Sequence, residues 1–269
     1  RDKEIIEQPA VQTTLTERYT DEAVKFIHKN KDKPFFLYMP HTMPHVPLFV
    51  SDEFYVKDVF KAYKATIEQV DDSVGQVFAA LKKAGVDENT LVIYTSDNGP
   101  WLSKKHHGGS ALPLRDGKFT TYEGGMREPC IMRWPGRIPA GKVCGEICGT
   151  IDVLPTIAKL AGAGVPTDRV IDGKNIWPLM AGRSGAKSPH EAYFYYKGTT
   201  LEAVRSGRWK LRRSKKSVEL YDLQTDISEK NNLAENHPDI VQRLTTTMQE
   251  FDAELKANSR PPGKVEKSA

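Results

Sequence analysis

Apolar side chains recur at two spacings along this chain, and the alternation between them outlines a fold. Tyr19, Ala23, Phe26 and Ile27 fall three or four residues apart, which predicts a helix from Thr16 to about Lys29 after an aperiodic lead-in. Phe60, Tyr63, Ile67, Val70, Val74, Val77, Phe78 and Leu81 keep that period over a longer stretch and predict the strongest helix, closed by Gly85 in a left-handed conformation. The continuous apolar runs Phe35–Met39 and Leu91–Thr95 predict strands buried on both faces. Cys130–Trp134 and Val143–Ile151 are further strand candidates. Asp152 is placed to cap a helix through Leu160 that Gly162 stops, with Pro155 tolerated in its first turn. Helices alternating with continuous apolar strands predict a three-layer α/β domain with a mainly parallel sheet.

The texture changes after Gly182. Ala192–Lys197, Leu201–Ser206, Trp209–Arg213 and Val218–Leu223 predict four short strands joined by tight turns. Pro238 opens a helix with Ile240, Val241, Leu244, Met248, Phe251 and Leu255 on one face. The expected division is therefore a core over residues 1–182, a small α+β subdomain over 183–257 and a polar tail over 258–269.

Composition narrows the classes. The 269 residues are 39% hydrophobic and 28% charged, which suits a folded domain rather than a disordered chain. No apolar run approaches the ~18 residues of a membrane span. The chain opens Arg1-Asp2-Lys3-Glu4, with neither an initiator Met nor an apolar leader, as a processed chain or a fragment would. Residues 1–180 carry 23 basic and 23 acidic side chains, residues 181–269 carry 16 and 12, so the excess of 39 over 35 lies in the last third. It gathers in Arg205, Arg208, Lys210, Arg212, Arg213, Lys215 and Lys216. Strand alternation around Leu211 makes that run a solvated face, and no nucleic acid is expected to bind it. Cys130, Cys144 and Cys148 have neither a disulfide nor a zinc spacing and are expected to be buried, inert thiols.

Candidate chemistry sits at the ends of the predicted strands, where α/β sheets bind their ligands. Asp97 and Asn98 follow Leu91–Thr95 and offer a carboxylate and an amide oxygen, hard donors for Ca²⁺ or Mg²⁺, although Asp-Asn-Gly-Pro is also a good turn. Two oxygens do not complete a site that takes ~6–8 ligands. His41 and His45 lie in a proline-rich loop after Phe35–Met39, where their four-residue spacing has no helix to give it meaning. Lys118 stands among glycines that let a ligand approach the backbone, placed to hold an anion. His106 and His107, with Lys104 and Lys105, form a cationic rim.

Read in order, these segments resemble the type I, formylglycine-dependent sulfatases, and the arylsulfatases in particular. The resemblance rests on Pro-His45-Val-Pro, Thr95-Ser-Asp-Asn-Gly-Pro100 and Gly117-Lys-Phe-Thr-Thr-Tyr-Glu-Gly-Gly-Met-Arg-Glu-Pro129. It continues through Asp152-Val-Leu-Pro-Thr-Ile-Ala-Lys-Leu-Ala-Gly162, Asp172-Gly173 and Leu220-Tyr-Asp-Leu223, covering roughly residues 16–250. It implies an alkaline-phosphatase-like α/β core with a small C-terminal subdomain, hydrolysis of a sulfate ester of a small molecule or glycan, and a Ca²⁺ cofactor, with Mg²⁺ the lesser candidate. Asp97 and Asn98 would be cation ligands. His45 and Lys118 would contact the sulfate, with His45 ranked first to protonate the departing alcohol. Family members are usually exported.

The chain also departs from the family. The nucleophile is made from Cys or Ser in a Cys/Ser-x-Pro-x-Arg motif, and no cysteine or serine here supplies it. The paired aspartates of the family's cation site have no counterpart, since Asp71-Asp72 lies inside the strongest predicted helix. The expectation is the C-terminal portion of a sulfatase, inactive in isolation. A phosphoester hydrolase of the same superfamily, or a non-catalytic anion- or partner-binding remnant, are the alternatives.

Overall fold

A computed structural model describes residues 1–261; the remainder of the expected tail, 262–269, lies outside the described residues. The chain forms two compact units interleaved in sequence. The first comprises Arg1–Ser96, Pro100–Ser110 and Pro129–Ala140; the second comprises Asp97–Gly99, Ala111–Glu128 and Gly141–Ala269.

In the first unit, helix α1 (Leu15–Asn30) packs on α2 (Ala62–Lys83). Ile27 meets Ala80 and Leu81 in a buried cluster surrounded by Val24, Phe35, Leu37, Val77, Phe78 and Val92. The seam is polar further along, where the Thr20 and Ser73 hydroxyls pair at 2.5 Å and Gln69 donates to Ser51 at 2.9 Å. The buried stripe of α2 thus includes Thr66, Gln69 and Ser73, while Phe60, expected on that face, precedes the helix and is exposed. Gly85 ends the helix at φ +73°, as its position predicts.

Strand β1 (Val92–Thr95) pairs antiparallel with β2 (Cys130–Arg133), Val92 opposite Arg133 and Thr95 opposite Cys130. Arg133 clamps Asp87 with two bonds of 2.7 and 2.8 Å. The Trp134 indole donates to the Glu88 carbonyl at 3.0 Å.

Two of the expected core strands do not form among the described residues. Phe35–Met39 is irregular, without a ladder partner, and its side chains alternate: Phe35 and Leu37 turn to the helices, while Phe36 and Tyr38 are exposed. Only one face of the run is covered. Val143–Ile151 is likewise no strand, and Val143 is almost fully exposed. The expectation of a mainly parallel sheet is corrected too, because every ladder among the described residues is antiparallel.

The second unit contains two single-turn helices, α3 (Glu123–Met126) and α5 (Trp177–Met180), with α4 (Val153–Leu160) between them in sequence. Its sheet runs in the order β3 (Tyr193–Lys197), β4 (Thr200–Ser206), β5 (Trp209–Arg213), β6 (Val218–Asp222), all antiparallel. Alternation along these strands buries Val204, Leu211 and Leu220 on one face, against Leu244 and Met248 of α6 (Pro238–Asn258). Each fully buried leucine of this kind contributes about 1.5–3 kcal/mol. Phe194 stacks on Phe251 with ring centroids 3.7 Å apart. Asp152 stands at the N-terminus of α4, where the sequence places a cap, but contrary to that expectation its side chain makes no capping bond to this helix. Fully buried, it accepts from the amides of Gly149 (2.8 Å) and Lys174 (2.7 Å) and bonds His190 Nε2 at 2.7 Å, tying three loop segments together.

The cysteines correct another expectation: all three are exposed. Cys144 and Cys148 lie on the irregular segment that replaces the expected strand, so no sheet covers them.

Candidate active site

Three of the four candidate residues belong to the second unit. Asp97 and Asn98 lie just beyond β1, and Gly99 follows as a buried residue with no room for a side chain. A Cβ on Gly99 would stand 1.9 Å from the Gly124 carbonyl oxygen, and the Gly99 amide bonds the Gly125 carbonyl at 3.4 Å. Gly124 and Gly125 are crowded from the other side as well. A Cβ on Gly124 would meet the Asp116 carbonyl at 2.3 Å, and one on Gly125 would meet those of Thr120 and Gly117 at 2.4 and 2.5 Å. The Gly-Gly pair is therefore the point where the Asp97–Gly99 turn and the Lys118 loop close on each other.

The Lys118 loop is tightly wound. The Thr120 amide and hydroxyl both donate to the Gly117 carbonyl, at 3.2 and 2.8 Å. Asp116 and Phe119 adopt φ +62° and +73°, conformations that non-glycine residues rarely occupy and that concentrate at functional loops. Lys118 is half-buried, with its ammonium 5.4 Å from the Phe119 ring centroid.

An ionic cluster that sequence reasoning missed fastens this loop from behind. The fully buried Lys210 ammonium lies 2.9 Å from both Glu123 and Glu229, and Arg205 stands 3.7 Å from Glu123. Glu229 Oε2 also accepts the Glu123 amide at 2.7 Å, the Tyr195 hydroxyl donates to Glu123 at 3.1 Å, and Arg115 donates to the Glu229 carbonyl at 2.7 Å. Burial raises the Glu123 carboxyl, but the Lys210 and Arg205 charges outweigh it and hold the group below its ordinary range. At Glu229 burial wins, and the group is held above it. Burial and the Glu123 carboxylate push the Tyr195 phenol well above its usual value.

The basic run is thus only in part the solvated face expected: Arg208, Arg213, Lys215 and Lys216 are exposed, whereas Arg205, Lys210 and Arg212 are turned inward. Lys210 is fully buried, Arg212 pairs with Glu202 and Glu219, and Arg208 pairs with Asp222. No local pattern in the sequence marks these pairs, because each cation meets its carboxylate from another strand or loop.

As to a cation, Asp97 is exposed and Asn98 half-buried, its Nδ2 donating to the Gly99 carbonyl at 3.0 Å. Among the described residues no group of three or more His, Cys, Asp or Glu side chains forms a metal site. The pair is of the right chemistry for a hard cation but supplies two donors where calcium takes ~6–8, so these residues fit part of a site.

His45 belongs to the first unit and is exposed. Its Nδ1 lies 2.8 Å from the Val46 carbonyl, which can only accept, so Nδ1 carries a proton and Nε2 is the nitrogen left for chemistry. The ring sits beside Trp101, 5.8 Å between centroids, at the edge of a cavity of about 500 Å³ that Lys104 and His107 also line. No helix among the described residues is long and apolar enough to cross a membrane.

Comparison with known proteins identifies the family and the fold. The sulfatase family model matches residues 2–163, and the model of the N-sulphoglucosamine sulphohydrolase C-terminal region matches residues 114–254. Steryl-sulfatase of Rattus norvegicus is 42% identical over 205 residues, 74% of this chain and 35% of the relative. N-acetylgalactosamine-6-sulfatase of Canis lupus familiaris is 42% identical over 202 residues, 74% of this chain and 38% of the relative. The crystal structure of Ps i-CgsB superposes with a TM-score of 0.82 at 32% identity, over 97% of this chain and 58% of that one. The same protein has been crystallised with k-i-k-neocarrahexaose. These matches define the architecture as an alkaline-phosphatase-like α/β fold, of which the chain holds a part. The chain belongs to the sulfatase family. It spans just over a third of the length of the curated relatives it matches.

Proposed function

We propose that this chain is part of a sulfuric ester hydrolase and carries the anion-holding side of its active site. The observation that supports this most is the closure of the Asp97–Gly99 turn and the Lys118 loop on the Gly124-Gly125 pair, which brings oxygen donors and a lysine loop to one backbone junction. In this reading Lys118 binds a sulfate oxygen and offsets the charge that develops as the S–O bond breaks. His45 acts as an imidazolium: Nδ1–H stays on the Val46 carbonyl, the Nε2 proton passes to the departing alcohol oxygen, and the ring is left neutral with its proton on Nδ1. Asp97 and Asn98 supply two of the oxygen ligands to Ca²⁺, which when bound would neutralise sulfate oxygens.

The nucleophile has no candidate in this sequence, because Cys130, Cys144 and Cys148 are followed by Ile-Met-Arg, Gly-Glu-Ile and Gly-Thr-Ile. It is expected outside these residues, as a formylglycine. The proposed substrate is a sulfated saccharide, a reading supported by the high coverage of Ps i-CgsB and its oligosaccharide complex. An exported location follows from the family resemblance.

The test is calcium removal. In the full product of the gene, a chelator should abolish release of sulfate and added Ca²⁺ should restore it. Asp97→Ala should raise the Ca²⁺ concentration needed by at least about tenfold, the loss common for a ligand-shell change. A wild-type calcium requirement in Asp97→Ala would remove that residue from the site.

A further inference from the structure

The cavity beside His45 is not explained by binding one sulfate. It measures about 500 Å³, within the ~300–1,000 Å³ of small-molecule clefts, and is walled by His45, Val46, Pro47, Trp101, Lys104 and His107. Its two wall segments, residues 40–51 and 99–110, contain no Asp or Glu, whereas they contain Lys104, Lys105 and four histidines. The far wall is braced. His107 Nε2 donates to the Val59 carbonyl at 3.1 Å, and His106 lies between His107, edge-on to it, and Phe60, tilted against it, each centroid 4.5 Å away. Lys104 is exposed, and its ammonium lies 4.5 Å from the Trp101 ring centroid, a cation over the indole at the mouth of the cavity.

Resting on the sulfatase reading of His45, we propose that this cavity holds a second acidic group of the substrate, so that the preferred substrate is a sugar ring with two anionic substituents. The sulfate to be cleaved lies at His45. The pyranose lies against Val46, Pro47 and the edge of the Trp101 indole, beside the ring face that the Lys104 ammonium covers. The second acid reaches Lys104, with His107 beside it. A neutral, purely apolar aglycone fits this wall poorly, because it would desolvate Lys104 without replacing its hydration.

Calorimetric titration of the 269-residue chain at low salt tests this, since the chain has no nucleophile motif and the sugars stay intact. The probes are galactose 4-sulfate, galactose 6-sulfate, galactose 4,6-disulfate and galacturonic acid bearing one sulfate; a cooperative thermal melt checks folding, and an unfolded variant is replaced by the same change in the full gene product. The disulfate is expected to bind about tenfold more tightly than either monosulfate, the size of one charge-assisted contact. That ratio should fall towards one in Lys104→Ala and persist in Lys104→Arg. Whether the sulfated uronic acid behaves like the disulfate tells a carboxylate from a sulfate as the second group. Equal binding of mono- and disulfate, or an unchanged ratio in Lys104→Ala, overturns the proposal and leaves the sulfatase reading standing. Failure of the folded chain to bind any of the sulfated sugars also overturns the proposal, while the sulfatase reading is judged separately by the calcium dependence of the full gene product.

Discussion

At the scale of single residues, charge is what the sequence hides best. Lys210, Arg205, Glu123 and Glu229 make a balanced set of two cations and two anions, and balance is the condition under which charges tolerate burial. Their partners lie 87 and 106 residues apart in sequence, so no local pattern announces them. Lys210→Met leaves two carboxylates facing each other and should cost about 3–5 kcal/mol in urea denaturation, whereas a mere surface lysine would cost almost nothing. Asp222 gives a pH-dependent counterpart. Hydrogen bonds from Arg208 and then Thr225 hold its carboxyl down to about 2 against an ordinary 3.8. A depressed carboxylate stabilises the fold fully above the unfolded value and loses that contribution as pH falls. Acid unfolding between pH 4 and 2 should therefore be less steep in Asp222→Asn than in the parent, measured by circular dichroism. Identical profiles would show that the Arg208–Asp222 pair contributes nothing.

At the scale of elements, periodicity was a good guide wherever one face of an element meets a core. The strands of the second unit's sheet and helix α6 fall within a residue or two of where alternation and helical spacing place them. The same reasoning failed at Phe35–Met39 and Val143–Ile151, where apolar runs have no neighbour to cover both faces. A continuous apolar run states a need for burial, not the partner that provides it. Glycines separate by the same criterion. Gly75 sits within α2 with nothing within 4 Å of a Cβ, so Gly75→Ala should stabilise by about 0.5–1 kcal/mol. Gly124→Ala drives a methyl to 2.3 Å from a backbone carbonyl and should destabilise, opening the Lys118 loop to hydrogen exchange. Equal thermal melts for the two variants would contradict the packing of that junction.

At the scale of the whole molecule, the candidate site was partly legible. The order of the His45, Asp97-Asn98 and Lys118 segments carried the family resemblance, and the family match bears the family out. What the order could not carry was the supporting cluster behind Lys118, because its cation comes from β5 and reads locally as one more charge on a basic strand. The central claim is that these residues hold and position a sulfate ester whose nucleophile lies elsewhere. It is tested most directly by hydrolysis of a chromogenic aryl sulfate with added Ca²⁺, by these 269 residues and by the full product of the gene. The account predicts no turnover by the 269 residues, turnover by the full product, and a loss of at least about 100-fold in its Lys118→Ala variant. Turnover by the 269 residues alone, or a parental rate in Lys118→Ala, would contradict it.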